Sequence, residues 1–480
     1  MHNKLASSGC TSELVEAEGM WHAYVLYCIK ERACDLDRIN AFLNRFLSHE
    51  RKLRWMRLDN AAKIYPAAKR RKWNNFFRLS ATLCDEVDKT VLRNAMDVTM
   101  RRFPSIAVRL CRGAFWYYLE ELSSAPEITD EKSWPLAHTP FESINECALR
   151  VIVYKNRIAV EFYHALTDGT GGMVFLKSLL AEYIEQKYGV EIPNECGVLD
   201  RLTQPQEEEL EDSFSKNAGS VSVSRNASTA FKIHYTPERD DFRHLTTFIL
   251  DSNAALAAAK SCGVSLTVYL TSAMLLALQR IQDEQTPDKR RQKPIRVVVP
   301  VNLRRLFPSR TLRNFVHVIM PEIDPRMGDY EFSEILTSVK HQLGLLVTKK
   351  NLCAMFTPNV NAERSPLLRV MPLFLKNIAM KLVYDTVGER TNCLNLSNLG
   401  DIKVPDAMRR YVTRFDFILG VQATKPNNCG VLSYNGKLYM NFIRNTVEPV
   451  LEFQFYQVLR ELGLHVKVES NGAGNVLIPN

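Results

Sequence analysis

One histidine and one aspartate, His164 and Asp168, lie four residues apart in the stretch E-F-Y-H-A-L-T-D-G-T-G-G. An imidazole has an ordinary pKa of about 6.5, so His164 can accept a proton at neutral pH and is a candidate general base. Asp168 is too acidic for that task, and we expect it to position the loop. Gly169, Gly171 and Gly172 would supply the positive φ or the close backbone approach that such a turn needs.

The residues alone leave a structural alternative open. His164 can be an ordinary loop histidine, with Asp168 capping a helix that begins near Thr170, because aspartate is a favoured N-cap residue. No metal site is expected, since one histidine and one aspartate supply too few ligands and no H-E-x-x-H or Cys/His cluster occurs elsewhere. The sequence also contains no G-x-S-x-G elbow that would present a serine nucleophile.

The elements around this stretch predict that His164 ends a strand. Two β-rich runs, 148–154 and 157–163, are separated by Lys155-Asn156, which predicts a hairpin. A loop at 164–172 and an amphipathic helix at 173–187 follow. Elsewhere the patterns predict helices at 88–102, 252–260, 266–282 and 332–345, strands at 107–111, 116–119, 295–301 and 315–320, and a hairpin around Asn435-Gly436. This alternation favours an α/β architecture of two layered lobes.

Length and composition are those of a globular protein with two lobes. The chain has 480 residues, of which 46% are hydrophobic and 24% are charged. Apolar content falls sharply between 202 and 228, which favours a surface linker there. We therefore predict an N-terminal appendage at 1–54, a first lobe at 55–200, a linker at 201–243 and a second lobe at 244–480.

The cysteines indicate the cell compartment, and the net charge indicates the kind of partner. Eleven cysteines without a C-x-x-C pair predict reduced thiols buried singly in a core, and hence a cytoplasmic protein. The apolar stretch 266–278 is too short to cross a bilayer and predicts a buried helix. The net charge of +9 suits anionic partners. The basic runs 69–72 and 289–293 lack interleaved aromatic residues, so nucleic acid is not expected.

The stretch Y-H-A-L-T-D-G-T-G-G resembles the H-x-x-x-D-G signature of the coenzyme A-dependent acyltransferase superfamily, which includes chloramphenicol acetyltransferase, alcohol O-acetyltransferases and condensation domains. Other segments resemble the same superfamily in the same order, over about 58–464: D-K-T-V-L-R-N-A-M-D-V-T-M-R-R-F-P, S-L-T-V-Y-L-T-S-A-M-L-L-A-L, V-V-V-P-V-N-L-R-R with R-N-F-V-H, and N-L-S-N-L-G-D. Tyr163 stands where condensation domains have a first histidine, which favours acyl-CoA transfer over peptide condensation. The D-F-G-W-G segment of the plant BAHD acyltransferases is absent, which argues against that branch. N-L-S-N-L-G-D resembles a segment common in the alcohol acetyltransferase branch.

The resemblance implies a fold and a reaction. The fold would be an α/β layered sandwich of two chloramphenicol acetyltransferase-like lobes with the active site in a tunnel between them. His164 would act as the base on a hydroxyl or amine acceptor, which attacks the thioester of acyl-CoA without a covalent acyl-enzyme. Acyl-CoA would be a cosubstrate, and no tightly bound cofactor is expected. Two alternatives remain open: a condensation-like enzyme that takes its acyl group from an acyl carrier protein, and a non-catalytic binding protein on the same scaffold.

The resemblance also implies roles for other residues. Ser397 and Asn398 are candidate oxyanion donors, although they can equally form a turn with local backbone bonds. An arginine would hold Asp168, and either Arg304 or Arg305 can serve. The acceptor-channel candidates are Tyr163 and Asn314, although Asn314 can equally be an ordinary residue at the start of a strand.

Overall fold

A computed structural model of the chain describes residues 53–67, 75–223, 228–239, 241–422 and 424–471. Except for its last two residues, the predicted appendage at 1–54 lies outside the described residues, and so does the basic run 69–72. The predicted α/β class is confirmed, because helices and sheets alternate in both halves of the chain.

Strands occur throughout the described part of the chain. They are β1 Trp55–Arg57, β2 Phe76–Leu83, β3 Val108–Arg112, β4 Tyr117–Glu121, β5 Ile128–Asp130, β6 Leu149–Tyr154, β7 Arg157–Tyr163, β8 His244–Asp251, β9 Ile295–Asn302, β10 Val316–Ile319, β11 Glu322–Ile323, β12 Leu394–Asp401, β13 Val412–Ile418, β14 Asn427–Tyr434, β15 Lys437–Arg444 and β16 Lys467–Ser470. The two hairpins predicted at Lys155-Asn156 and Asn435-Gly436 are present as β6–β7 and β14–β15.

The α-helices follow the same order. They are α1 Ile64–Ala67, α2 Lys89–Arg102, α3 Phe141–Glu146, α4 Gly169–Tyr188, α5 Glu207–Leu210, α6 Ser213–Asn217, α7 Ser252–Ser261, α8 Leu266–Gln285, α9 Phe332–Leu346, α10 Lys349–Arg364, α11 Pro366–Val370, α12 Leu373–Val383, α13 Asp406–Arg409 and α14 Val450–Glu461. Short polar side chains cap the N-termini of several of these helices. Asp88, for example, accepts hydrogen bonds from the backbone N–H groups of Thr90 and Val91 at the start of α2.

The first large sheet has the order β13-β2-β7-β6-β5 and carries β7, the strand that leads to His164. Its central strands are antiparallel, with Phe76 opposite Tyr163 in the β2–β7 register. The edge strand β13 belongs to the second half of the chain and pairs with β2. The second half therefore completes the sheet that presents His164.

The second large sheet has the order β10-β9-β12-β14-β15-β8-β16, with β11 also paired to β9. Strand β12 runs parallel to both β9 and β14, whereas the other neighbours are antiparallel. A small third sheet has the order β1-β4-β3. Each large sheet has its own hydrophobic core, the first around α4 and the second around α8. The buried helix predicted at 266–278 is present within α8.

The predicted linker at 201–243 runs partly over the surface, but some of its residues are anchored in the interior. Phe214 and Phe231 are buried in the second core, and Glu209 forms a buried ion pair with Arg102. The prediction that the cysteines are all buried in a core is wrong, because Cys84, Cys196 and Cys262 are exposed thiols; every cysteine of the described residues is unpaired.

Among the described helices, no single one has the length and apolar character needed to cross a membrane. The consecutive helices α7 and α8 meet that test only as a pair, and they are bent by 85° relative to each other.

Candidate active site

The His164 ring lies directly beyond the end of β7 between two aromatic rings. Its backbone N–H donates to the carbonyl of Asn75 at 2.9 Å, which continues the pairing of β7 with the residue before β2. Tyr65 stacks on the imidazole with centroids 4.6 Å apart, and Phe77 meets it edge-on at 5.1 Å. Two faces of the ring are therefore packed, which fixes its orientation.

Asn314, from the second half of the chain, sets the tautomer of this histidine. Its Nδ2 donates to the His164 carbonyl at 3.0 Å and to Asp59 Oδ2 at 3.3 Å, so its Oδ1 is the acceptor that faces His164 Nδ1 at 3.2 Å. We therefore assign the proton to Nδ1, which leaves the Nε2 lone pair free. Burial lowers the pKa of His164, so the ring is neutral at neutral pH and able to act as a base.

The carboxylate of Asp168 holds the loop through both oxygens. Oδ1 accepts from the backbone N–H groups of Thr170 and Gly171, both at 3.0 Å, and so caps α4. Oδ2 accepts from Arg304 Nη1 at 2.8 Å and from the Phe315 backbone N–H at 2.9 Å. Helix capping and loop positioning are therefore two functions of one side chain.

Of the two arginines that the sequence left open, Arg304 is the one that contacts Asp168. Its other guanidinium nitrogens donate to the carbonyls of Thr311 and Arg313, at 2.9 and 2.5 Å, so each of the three nitrogens has an acceptor. Arg305 does not contact Asp168; its side chain is exposed and lines the cavity described below.

Of the two roles predicted for the glycines of the motif, positive φ or close backbone approach, the structure shows close approach; none of these glycines adopts positive φ. A Cβ on Gly171 would lie 2.1 Å from the Leu312 carbonyl oxygen, and one on Gly169 would lie 2.7 Å from a methyl group of Leu399. The first turn of α4 therefore packs directly against backbone from the second half of the chain.

His164 opens onto a cavity of about 700 Å³ that residues of both halves line. The sequence-predicted residues on its wall are His164, Asp168, Gly169, Arg305, Asn314, Ser397 and Asn398. Tyr163 is not among the lining residues, so its prediction as an acceptor-channel residue is wrong. Successive residues of a strand point to opposite faces, and the Tyr163 ring packs in the first core, 5.6 Å from the Phe76 ring. Asn314 reaches the cavity, but its amide is committed to His164 and Asp59.

The two oxyanion candidates differ in what their side chains already bind. Asn398 Nδ2 donates to Thr267 Oγ1 at 3.2 Å, and its Oδ1 accepts from the Gly400 N–H at 2.8 Å. Ser397 lines the cavity, and its hydroxyl has no hydrogen-bond partner among the described residues. Ser397 is therefore the candidate with a free donor.

Several residues of the site carry no recognisable sequence signal. Tyr65 and Phe77 hold the imidazole, and Asp59 holds Asn314 while burial raises the pKa of its own carboxyl to about 6. Lys425 also lines the cavity. These residues lie far apart in the chain and meet only through the fold. Across the described ranges, no group of three or more His, Cys, Asp or Glu side chains is arranged to hold a metal ion.

Comparison of the sequence with family models and with curated proteins gives no match. Solved structures do match the fold. Polyketide synthase associated protein 5 from Mycobacterium tuberculosis superposes with a TM-score of 0.53 at 13% identity, covering 85% of this chain and 98% of its own. The epimerization domain from the third module of tyrocidine synthetase B gives 0.54 at 13% identity, covering 86% and 96%. The first condensation domain of the calcium-dependent antibiotic synthetase gives 0.53 at 13% identity, covering 85% and 95%.

These matches define the class of fold. The chain shares its fold with these condensation and epimerization domains, which confirms the α/β fold expected from the sequence. At 13% identity the likeness concerns the fold. The function is therefore inferred from the chemistry of the residues at the site.

Proposed function

We propose that this protein transfers an acyl group, with acetyl as the expected case, from acyl-CoA to a hydroxyl or amine acceptor. The observation that carries the proposal is the imidazole of His164, which is neutral, has its Nδ1–H directed to Asn314, and borders a cavity lined by both halves of the chain. An acceptor and a thioester that enter this cavity would meet at Nε2. We also propose a cytoplasmic location, which the unpaired cysteines predict.

The proposed reaction needs one base and one oxyanion donor. His164 Nε2 removes the acceptor proton as the acceptor oxygen or nitrogen attacks the thioester carbonyl. The Ser397 hydroxyl donates to the oxyanion of the tetrahedral intermediate. The C–S bond then breaks, and a thiolate leaves with little acid help because a thiol has an ordinary pKa of about 8.5. Asp168 and Arg304 act as positioning residues, since the Asp168 carboxylate is hydrogen-bonded to Arg304 and to the backbone and not to the imidazole.

The donor is the second part of the proposal. The starter condensation domain of rhizomide synthetase, which matches this chain at 12% identity and a TM-score of 0.52, was solved in complex with C8-CoA. That complex supports a CoA thioester as a ligand of this fold. An acyl carrier protein is the competing donor, and a direct comparison of the two thioesters decides between them.

The test is thiol release from acetyl-CoA with a panel of alcohols and amines, measured for the native protein, His164→Ala and Tyr163→Phe. We expect His164→Ala to lower turnover about 10²- to 10⁴-fold, the usual contribution of a general base. Tyr163→Phe is the matched control, because the neighbouring Tyr163 hydroxyl is buried, has no hydrogen-bond partner in the part of the chain that the structure describes, and lies outside the cavity lining. It should leave turnover unchanged.

Two results would contradict the proposal. An active His164→Ala variant would remove the histidine as the base. Native protein that transfers nothing from any acyl-CoA, but transfers from an acyl carrier protein, would replace the CoA donor by the carrier.

A further inference from the structure

Lys425 is a buried lysine on the wall of the same cavity. It belongs to the segment that leaves β13 and enters β14, and therefore links the two large sheets. Backbone hydrogen bonds between Gln422 and Lys425, of 3.0 and 3.2 Å, hold this segment in shape. Lys425 is 3% exposed, and its ammonium makes no hydrogen bond or ion pair with any described residue. An ammonium buried in this way has lost its water without gaining a partner.

The groups around Lys425 leave a surplus of positive charge. Its electrostatic neighbours are Lys232, Glu389 and Cys393. Burial raises the pKa of the Cys393 thiol to about 11, so this thiol is neutral, and the Lys232 ammonium donates to the carbonyls of Glu389 and Asn392 at 2.7 and 2.5 Å. Two ammonium groups therefore face one carboxylate. Burial, together with the Lys232 charge, lowers the pKa of Lys425 to about 7, and the Glu389 carboxylate offsets only part of this effect.

Neighbouring polar atoms are also short of partners. Gln422 Oε1 and Asn392 Oδ1 are buried and accept no hydrogen bond from any described residue, and both residues line the cavity. The orientation of the Asn392 amide is settled, because its Nδ2 donates to the Gly388 carbonyl at 2.8 Å. Both unpaired atoms are acceptors, so a carboxylate cannot pair with them; a ligand that does must bring an N–H or O–H donor beside its anionic group.

We propose that Lys425 is the anchor of a carboxylate-binding subsite in this cavity, so that one of the two substrates carries a carboxylate at a distance from its reacting group. The inference rests on the proposed function for the identity of the substrate as an acyl group or an acceptor. A carboxylate is an anion small enough for an enclosed ammonium, whereas the phosphates of CoA are bulkier. The wall formed by Val298, Val318, Leu343 and Val347 suits an apolar body between the reacting group and the carboxylate.

The test measures binding by titration calorimetry with matched pairs of ligands. The acyl arm compares glutaryl-CoA with pentanoyl-CoA. The acceptor arm compares ω-hydroxycarboxylates of four to twelve carbons with their ω-hydroxyamides. A hydrogen-bonded charge pair that is excluded from water should favour the carboxylate roughly 10- to 100-fold in one arm. Titration at pH 8 in two buffers of different ionisation enthalpy should also show uptake of about one proton, because an anion restores the charge of Lys425.

Lys425→Met should abolish both the preference and the proton uptake, and Lys437→Met, at the exposed lysine that begins β15, should retain them. Without ligand, Lys425→Met should melt at the same temperature as the native protein or above it, because the variant removes an uncompensated buried charge. A clearly lower melting temperature would assign Lys425 a structural role and overturn the inference. Equal binding of carboxylate and neutral partner in both arms would also overturn it.

The two proposals fail separately. A carboxylate preference that depends on Lys425, in a protein that transfers no acyl group from any thioester, would refute the proposed function and leave the subsite standing. Acyl transfer that depends on His164 but shows no carboxylate preference would do the reverse.

Discussion

Replacing Asp168 by asparagine tests the hydrogen bonds that connect the two halves of the chain. Asparagine keeps an oxygen where Oδ1 accepts from the Thr170 and Gly171 N–H groups, and asparagine is as good an N-cap as aspartate. At the other position an NH₂ group replaces Oδ2, and it faces two donors, Arg304 Nη1 and the Phe315 N–H. The substitution thus leaves the cap in place and removes only the contacts with the second half.

The expected size of the effect follows from these contacts. Breaking a buried ion pair by removing one charge costs about 3–5 kcal/mol. The side chain of Asp168 is 2% exposed but that of Arg304 is 13% exposed, so water can reach part of the guanidinium. We therefore expect the lower end of the range, about 3 kcal/mol, which is a large part of the roughly 5–15 kcal/mol that stabilises a typical domain.

Urea unfolding of the native protein and of Asp168→Asn measures this loss, and the chain offers a matched control. Asp88 caps α2 through the same pair of backbone bonds but forms no ion pair with any arginine of the described residues, so Asp88→Asn should change the free energy of unfolding by less than about 0.5 kcal/mol. A double-mutant cycle of Asp168→Asn with Arg304→Gln should give a coupling energy of about 2–3 kcal/mol. A loss below about 1 kcal/mol in Asp168→Asn, or an equal loss in Asp88→Asn, would refute the reasoning.

Three further predictions follow from the site. Ser397→Ala should lower kcat about 100-fold with little change in acyl-CoA binding, and unchanged turnover in steady-state kinetics would eliminate Ser397 as the oxyanion donor. Gly171→Ala should destabilise the fold by more than about 3 kcal/mol in thermal unfolding, because its Cβ would lie 2.1 Å from the Leu312 carbonyl oxygen; native stability would contradict this packing. Because burial lowers the pKa of His164 below 6.5 and the neutral ring is the base, kcat/KM should be constant at neutral pH and fall on acidification with a midpoint below 6.5; a midpoint above it would contradict the burial.

The local parts of this structure could be predicted from the sequence. The β6–β7 hairpin, the loop at His164 and helix α4 follow from patterns within a few residues of one another, and the capping role of Asp168 follows from its residue type. The choice of Arg304 over Arg305 could not be made, because both follow the same strand and only the turn between β9 and β10 decides which guanidinium reaches Asp168.

The parts that depend on distant contacts could not be predicted. The sequence predicts Tyr163 in the acceptor channel, but strand geometry turns its ring into the core. The polar stretch at 202–228 predicts a surface linker, yet Phe214 packs in the second core and Glu209 pairs with Arg102 in the interior. No sequence pattern distinguishes Lys425 from other lysines. Its burial depends on the tertiary fold, because β13 pairs in the first sheet and the segment that follows it lies at the cavity.

The proposed reaction depends most directly on one property of the site, the unprotonated Nε2 that His164 presents to the cavity. Nitrogen-15 NMR of histidine-labelled protein measures it, and the His164 signals are assigned by their absence from His164→Ala. At pH 7 we predict a protonated, pyrrole-type shift for Nδ1 and an unprotonated, pyridine-type shift for Nε2. A proton on Nε2, or a doubly protonated ring at that pH, would contradict the account.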